Sequence, residues 1–249
     1  MHYFFVAPEQ INVDDRSVTI LGADVNHMKN VLRMREGEEF SVSNGQDGKE
    51  YRCAVSAVEE DRILGELRFI KEDKVELPAR IHLFQGLPKG DKMELIVQKA
   101  VELGAFRIVP VATSRCVVKL DNKKAAARTA RWQGIAESAA KQSRRGLIPE
   151  VTEVSEFRQA VKMASEMDVR LIPYELAEDV SRTRRLLEGI RPGQDVAVFI
   201  GPEGGFAEEE IALALENGLE PITLGKRILR TETAGITVLS WMMYVLEMR

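Results

Sequence analysis

Two rhythms of hydrophobic and polar positions divide the chain. Up to about residue 72, apolar and polar residues alternate over the short runs HYFFVA, RSVTIL, EEFSVS, EYRCAVSAV and ILGELRFI, which predicts half-buried strands. Turn-forming residues such as Asn44, Gly45, Asp47 and Gly48 separate them, so this part reads as a small β-barrel. One helix interrupts it: Asp24 is placed to cap a turn, and Val25, Met28, Val31 and Leu32 recur at helical spacing. The opposite face of that helix carries His27, Lys29, Arg33 and Arg35.

The charged, proline-bearing stretch KEDKVELPAR at 71–80 marks a linker, and a boundary after residue 72 divides the chain into 1–72 and 73–249. Beyond it the pattern changes. Apolar runs IHLFQGL, RIVPVAT, VRLIPY, DVAVFI and PITL alternate with helical segments at 91–103, about 121–145, near 155–167, over AEEEIALALENG, and after Arg230. Such alternation predicts an α/β domain with about five mostly parallel strands.

Composition narrows the function classes. At 249 residues and 45% hydrophobic the chain has ample material for a core, and 35 basic against 39 acidic residues leave a net charge of -4. That balance excludes a protein that coats nucleic acid by overall charge, so any RNA contact must be local. One basic segment stands out, with Arg115, Lys119, Lys123, Lys124, Arg128, Arg131, Lys141, Arg144 and Arg145 against Asp121 and Glu137. A solvated helix face accounts for it as well as an RNA surface does. Cys53 and Cys116 have no partners at metal-ligand spacing. The first residues lack a basic leader, and the apolar stretch 236–246 falls short of the roughly 20 residues needed to cross a bilayer, so a cytoplasmic protein is expected.

Two segments carry candidate chemistry. In DVAVFIGPEGGF a strand runs into Gly201, Pro202, Glu203, Gly204 and Gly205 and then into a helix opening with Glu208, Glu209 and Glu210. Ligands in open α/β sheets collect at such carboxyl ends, and glycines let backbone approach a ligand closely. No lysine with serine or threonine follows at phosphate-loop spacing, and three glutamates crowd the helix start, so a nucleoside without phosphates fits better. GLPKGDK at 86–92 also has the wrong spacing for a phosphate loop. The second segment, LGKRILRTETA at 224–234, again follows a strand and precedes an apolar helix. Taken alone, it is explained by Thr231 or Thr233 capping the helix beside an Arg–Glu pair.

Taken together, GPEGGF and LGKRILRTETA closely resemble the RsmE family of SPOUT-superfamily methyltransferases, bacterial enzymes that act on uridine N3 in 16S rRNA. The resemblance extends to KGDKMELIVQKAVELG at 89–104, AKQSRRGLIPEV at 140–151 and HMKNVLRM at 27–34. It implies a PUA-like barrel for RNA, an α/β methyltransferase domain with a trefoil knot, a homodimer, and 16S rRNA of the small ribosomal subunit as partner. S-adenosyl-L-methionine is the implied methyl donor, held by Pro173, Ile200, Gly201, Glu203, Gly204, Leu224, Gly225, Ile228, Leu229 and Thr231. Glu232 is the implied candidate base and Arg230 the candidate stabiliser of negative charge on uracil, with roles that can be exchanged or shared. Lys29, Arg33, Arg35, Gln142 and Arg145 are the expected RNA contacts. Two alternatives remain at this stage: a related enzyme acting on a ribose 2′-hydroxyl, and a non-catalytic ribosome-assembly protein that keeps the fold.

Overall fold

A computed structural model describes residues 1–72, 75–118 and 120–248. Linker residues 73 and 74 and Lys119 of the basic segment therefore lie outside the described residues. By packing, the chain forms two units: Met1–Glu76 with Ala140–Ile148, and Leu77–Ala139 with Pro149–Arg249. A single cut after residue 72 misses the return of Ala140–Ile148 to the first unit. That segment is held there by hydrogen bonds: Ser43 Oγ donates to Gly146 O at 3.0 Å, Ile148 N–H to Gly45 O at 3.0 Å, and Tyr3 OH to Arg145 O at 3.1 Å.

The first unit is built on β1 (His2–Phe5), β2 (Ile11–Asn12), β3 (Ser17–Leu21), β4 (Glu39–Ser43), β5 (Lys49–Val58) and β6 (Arg62–Glu72). The sheet order is β1-β4-β5-β6-β3-β2, with β1 parallel to β4 and the other ladders antiparallel. Irregularities at Arg52/Cys53 and Val55/Ala57 bend β5, as bulges do. Inward residues Phe4, Val18, Ile20, Phe40, Val42 and Ile63 pack with Val25 and Met28 into one core. Gln10 fastens the open side, its Nε2 donating to Thr19 O while its Oε1 accepts from Ala7 N–H. Val25 and Met28 come from α1 (Ala23–Asn26), which continues as a wider turn over His27–Val31 and leaves His27 exposed.

The second unit contains a wholly parallel sheet. Its elements are β7 (Arg80–Gly86), α2 (Lys92–Glu102), β8 (Arg107–Ala112), α3 (Asn122–Ser143, which from Ala140 on belongs to the first unit), β9 (Glu150–Val151), β10 (Ser155–Glu156), α4 (Phe157–Ala164), β11 (Val169–Pro173), α5 (Val180–Glu188), β12 (Asp195–Ile200), α6 (Glu208–Glu216), β13 (Glu220–Ile222) and α7 (Thr231–Glu247). Strand order is β10-β8-β7-β12-β11-β13, with β9 also on β8. Apolar side chains lie on both faces of the central strands, as a sheet covered twice requires. Phe84 of β7 stacks on Phe199 of β12 with centroids 4.4 Å apart, and Phe157, Val161 and Ile211 close over them from α4 and α6. The pattern did not predict α5, whose apolar positions are sparse between arginines. Among the described residues no helix is long and apolar enough to cross a membrane.

This order positions three strand ends together. The two motif-bearing strands, β12 and β13, are not hydrogen-bonded to each other; β11 stands between them, with Leu171 opposite both Val198 and Glu220. The loop after β11 therefore joins the loops after β12 and β13 at one edge.

Candidate active site

At that edge lies a cleft of about 630 Å³, within the size range of small-molecule sites. Its walls come from Pro173 at the end of β11 and Tyr174 after it, the glycine loop after β12, and the stretch from Thr223 to Thr231 that opens α7. All ten residues expected to hold a donor line it: Pro173; Ile200, Gly201, Glu203 and Gly204; Leu224, Gly225, Ile228 and Leu229; and Thr231. Arg230 lines it as well. Ile228 is 94% exposed, so its apolar side chain stands free at the margin.

The glycines have two physical roles. Gly225 has φ of +101°, a backbone state that L side chains rarely adopt, and it lets the chain turn into the cleft. Gly201 sits tightly in its own loop: a Cβ there would come 3.2 Å from Gly205 Cα. That close approach folds the GPEGG segment back on itself and turns its main chain into a wall of the cleft. On the far side Arg115 Nη1 donates to Gly204 O at 3.2 Å.

Thr231 does not cap α7. It is the first helical residue, 4% exposed, and its hydroxyl donates to Gly201 O at 2.6 Å while accepting from Gln85 Nε2 at 2.9 Å. The hydroxyl thus ties the glycine loop to the start of α7. Arg230 is the N-cap residue, and no side chain caps this helix.

Glu232, in the first turn, is not among the residues that line the cleft; it is paired with Lys92 of α2, whose Nζ stands 3.6 Å from its Oε2, rather than with an arginine of its own segment. That oxygen is buried and has no hydrogen-bond partner among the described residues. The same ammonium donates to Glu203 Oε1 at 2.7 Å, and Lys89 N–H also donates to the Glu203 carboxylate, at 3.2 Å. The hydrogen bond to Glu203 is the main cause holding the Lys92 ammonium above the ordinary lysine range. Burial pushes the Glu203 carboxyl up, but Lys92 and the N–H groups of Glu203 and Lys89 outweigh it and leave it below the usual carboxylate range.

Of the expected RNA contacts, Arg33 and Arg35 are exposed beyond the α1 segment, and Gln142 is exposed on the last turn of α3. Lys29 is half-buried, its ammonium donating to Glu59 O at 3.0 Å. Arg145 requires a correction: it is 2% exposed, and its guanidinium is ion-paired with Glu76. A buried guanidinium so engaged fastens its own unit and is not offered to a nucleic acid. Much of the basic segment is likewise paired, Arg131 with Glu94 at 2.8 Å, Lys124 with Asp121 at 3.1 Å and Lys141 with Asp24 at 3.2 Å. Lys92 is the site residue that sequence reasoning missed. It stands in GLPKGDK, which signals only a failed phosphate loop until the fold brings it to Glu203 and Glu232.

The second unit is thus a parallel sheet with its cleft at the carboxyl ends, on a chain that also carries a small β unit. Models of two domains match: the RNA methyltransferase domain over residues 75–243, and the RNA methyltransferase PUA domain over residues 20–68. The chain belongs to the ribosomal RNA small subunit methyltransferase E family. It is 36% identical over 249 residues to the Bacillus subtilis protein of that name, covering 99% of this chain and 97% of that one. Among solved structures, the Neisseria gonorrhoeae enzyme of that name, bound to S-adenosyl methionine, is 35% identical with a TM-score of 0.81, covering 96% and 95% of the two chains. A Legionella pneumophila methyltransferase in complex with the same cofactor is 34% identical with a TM-score of 0.77, over 97% and 94%.

Proposed function

We propose that this chain transfers a methyl group from S-adenosyl-L-methionine to N3 of a uridine in 16S rRNA of the small ribosomal subunit, uridine 1498 in standard rRNA numbering. The observation that carries the reading is the convergence of three strand-end loops on one cleft, with Arg230 and Glu232 at the start of the helix that closes it. The residues present fit this donor. Main chain around Gly201 and Gly225 lets a nucleoside approach closely, and Ile200, Leu224 and Leu229 offer apolar contact. Beyond the glycine loop, Glu208 to Glu210 oppose a phosphate. When bound, the donor supplies a methyl group on a sulfonium, whose carbon–sulfur electron pair stays with sulfur.

The protein's task is to position uracil and remove its N3 proton, because protonated N3 is a poor nucleophile. Glu232 takes that proton on a carboxylate oxygen, freeing the N3 electron pair to form the bond to the methyl carbon. Arg230 stabilises the negative charge that gathers on the uracil oxygens. Arg33, Arg35 and Gln142 bind flanking rRNA, mainly at phosphates.

Two copies of the chain form the enzyme in this reading. Tyr244 and Met248, exposed at the end of α7, are apolar surface of the kind such a contact covers. A trefoil knot in the methyltransferase domain belongs to the same reading.

The test is calorimetric and kinetic. Glu232→Gln is expected to bind S-adenosyl-L-methionine as the parent does and to lose roughly 100-fold or more in turnover. Failure of the parent protein to bind the donor would overturn the reading, and parental turnover in the variant would remove Glu232 as base.

A further inference from the structure

We propose that Lys92 is a positioning residue for methyl transfer, joining the donor loop to the base and keeping the carboxylate of Glu232 ionised and aimed at its substrate. The inference rests on the reading of Glu232 as base and extends it to a residue outside both sequence motifs.

Three observations carry it. Lys92 Nζ lies between two carboxylates from different loops, 2.7 Å from Glu203 and 3.6 Å from Glu232. The Glu232 oxygen facing it is buried and makes no hydrogen bond among the described residues, with that ammonium 3.6 Å away. Lys92 also lines the cleft, on the first turn of α2, which packs along α7. A point charge held by Glu203 at 2.7 Å, with the second carboxylate 3.6 Å away, leaves Glu232 a countercharge.

Several other charged groups are engaged elsewhere, while Lys226 and Arg227 line the same cleft. On the loop before α2, Lys89 meets Glu203 through its main-chain N–H. The glycine loop contributes Glu203 itself, a like charge. Arg115 is engaged with Gly204 O. From α5, Arg184 pairs with Glu188 and lies by Tyr244, near the other end of α7. Arg230, in the same turn as Glu232, is assigned to the uracil oxygens.

The test uses Lys92→Met and Lys92→Arg in the full chain, with two independent readouts. The first is a pH profile of kcat. Lys92→Met is expected to lose about tenfold on the acid side and to recover as pH rises, because an opposite charge within a few ångströms favours the ionised carboxylate. Lys92→Arg is expected to restore most of the loss, and donor affinity in RNA-free protein to stay within about threefold of the parent in both. A loss in Lys92→Met that is independent of pH, or matched by an equal loss of donor affinity, would reduce Lys92 to a structural support of the loop and overturn the proposal.

The second readout needs no activity. The Lys92 ammonium is followed by NMR in protein labelled at lysine Cε, with its signal assigned by its absence in Lys92→Arg. Glu203→Gln is expected to move its titration midpoint down toward free lysine, and Glu232→Gln to move it down by less. An unmoved midpoint in Glu232→Gln would show that the two groups are uncoupled and end the proposal. Full turnover of Glu232→Gln would instead remove the base assignment, while the NMR result would still report on the pairing.

Discussion

Replacing Thr231 with valine tests whether one hydroxyl holds the cleft in shape. Valine keeps the side chain's size, so the change removes only the hydrogen bonds to Gly201 O and from Gln85 Nε2. Gln85 retains Gly86 O as acceptor at 2.9 Å, so its loss is that of an ordinary bond, about 1 kcal/mol. The Gly201 carbonyl loses its donor next to a side chain that is 4% exposed, and an acceptor left unpaired there costs a further 1 kcal/mol or more. The sum, about 2 kcal/mol, corresponds to a fall of roughly 4–8 °C in melting temperature for a domain of this size. Thermal melts of the parent, Thr231→Val and Thr231→Ser measure it, with titration calorimetry of the donor alongside. Serine should stay within about 2 °C of the parent, and valine should also weaken donor binding. A valine variant that melts within about 1 °C of the parent and binds the donor equally well would refute the reasoning.

The exposed pair Arg33 and Arg35, changed together to alanine, should weaken rRNA binding evenly across sequences and lower the salt slope by about 2; an unchanged slope places the RNA elsewhere. Arg145→Met should act through stability, losing about 3 kcal/mol by leaving Glu76 without its countercharge, with no change in the salt slope of RNA binding. Stability should also fall in two steps as pH is lowered. Burial holds the His82 imidazole below its usual range despite its bond to Asp195, so its contribution is present above about pH 6.5 and is lost as pH falls from there. The hydrogen bond from Arg80, with that from His82, holds Asp195 at about 2, so a second loss follows between about pH 4 and pH 2. Chemical denaturation across pH should lose the first step in His82→Asn and the second in Asp195→Asn.

Most of the framework was legible because it is written in local patterns. Period-two alternation marked the strands of the first unit, and unbroken apolar runs such as DVAVFI marked strands covered on both faces. The glycine loop and the segment LGKRILRTETA were legible as candidate ligand loops because each follows a strand, and the nine residues taken from them line one cleft with Pro173. What escaped depends on contacts distant in sequence. Nothing local tells that β11 separates β12 from β13, that Thr231 reaches back to Gly201, or that Lys92 meets Glu232 from far upstream. Arg145 was misread for the same reason: in SRRGLIP it resembles a free cation, and only the fold returns Glu76 to it.

The central claim is methyl transfer to N3 of a single uridine. Small ribosomal subunits from a strain lacking this enzyme, incubated with the protein and labelled S-adenosyl-L-methionine, should each gain one methyl group. Mass spectrometry of the 16S rRNA fragments should place it on N3 of one uridine; absence of incorporation, or label on a ribose, would contradict the account.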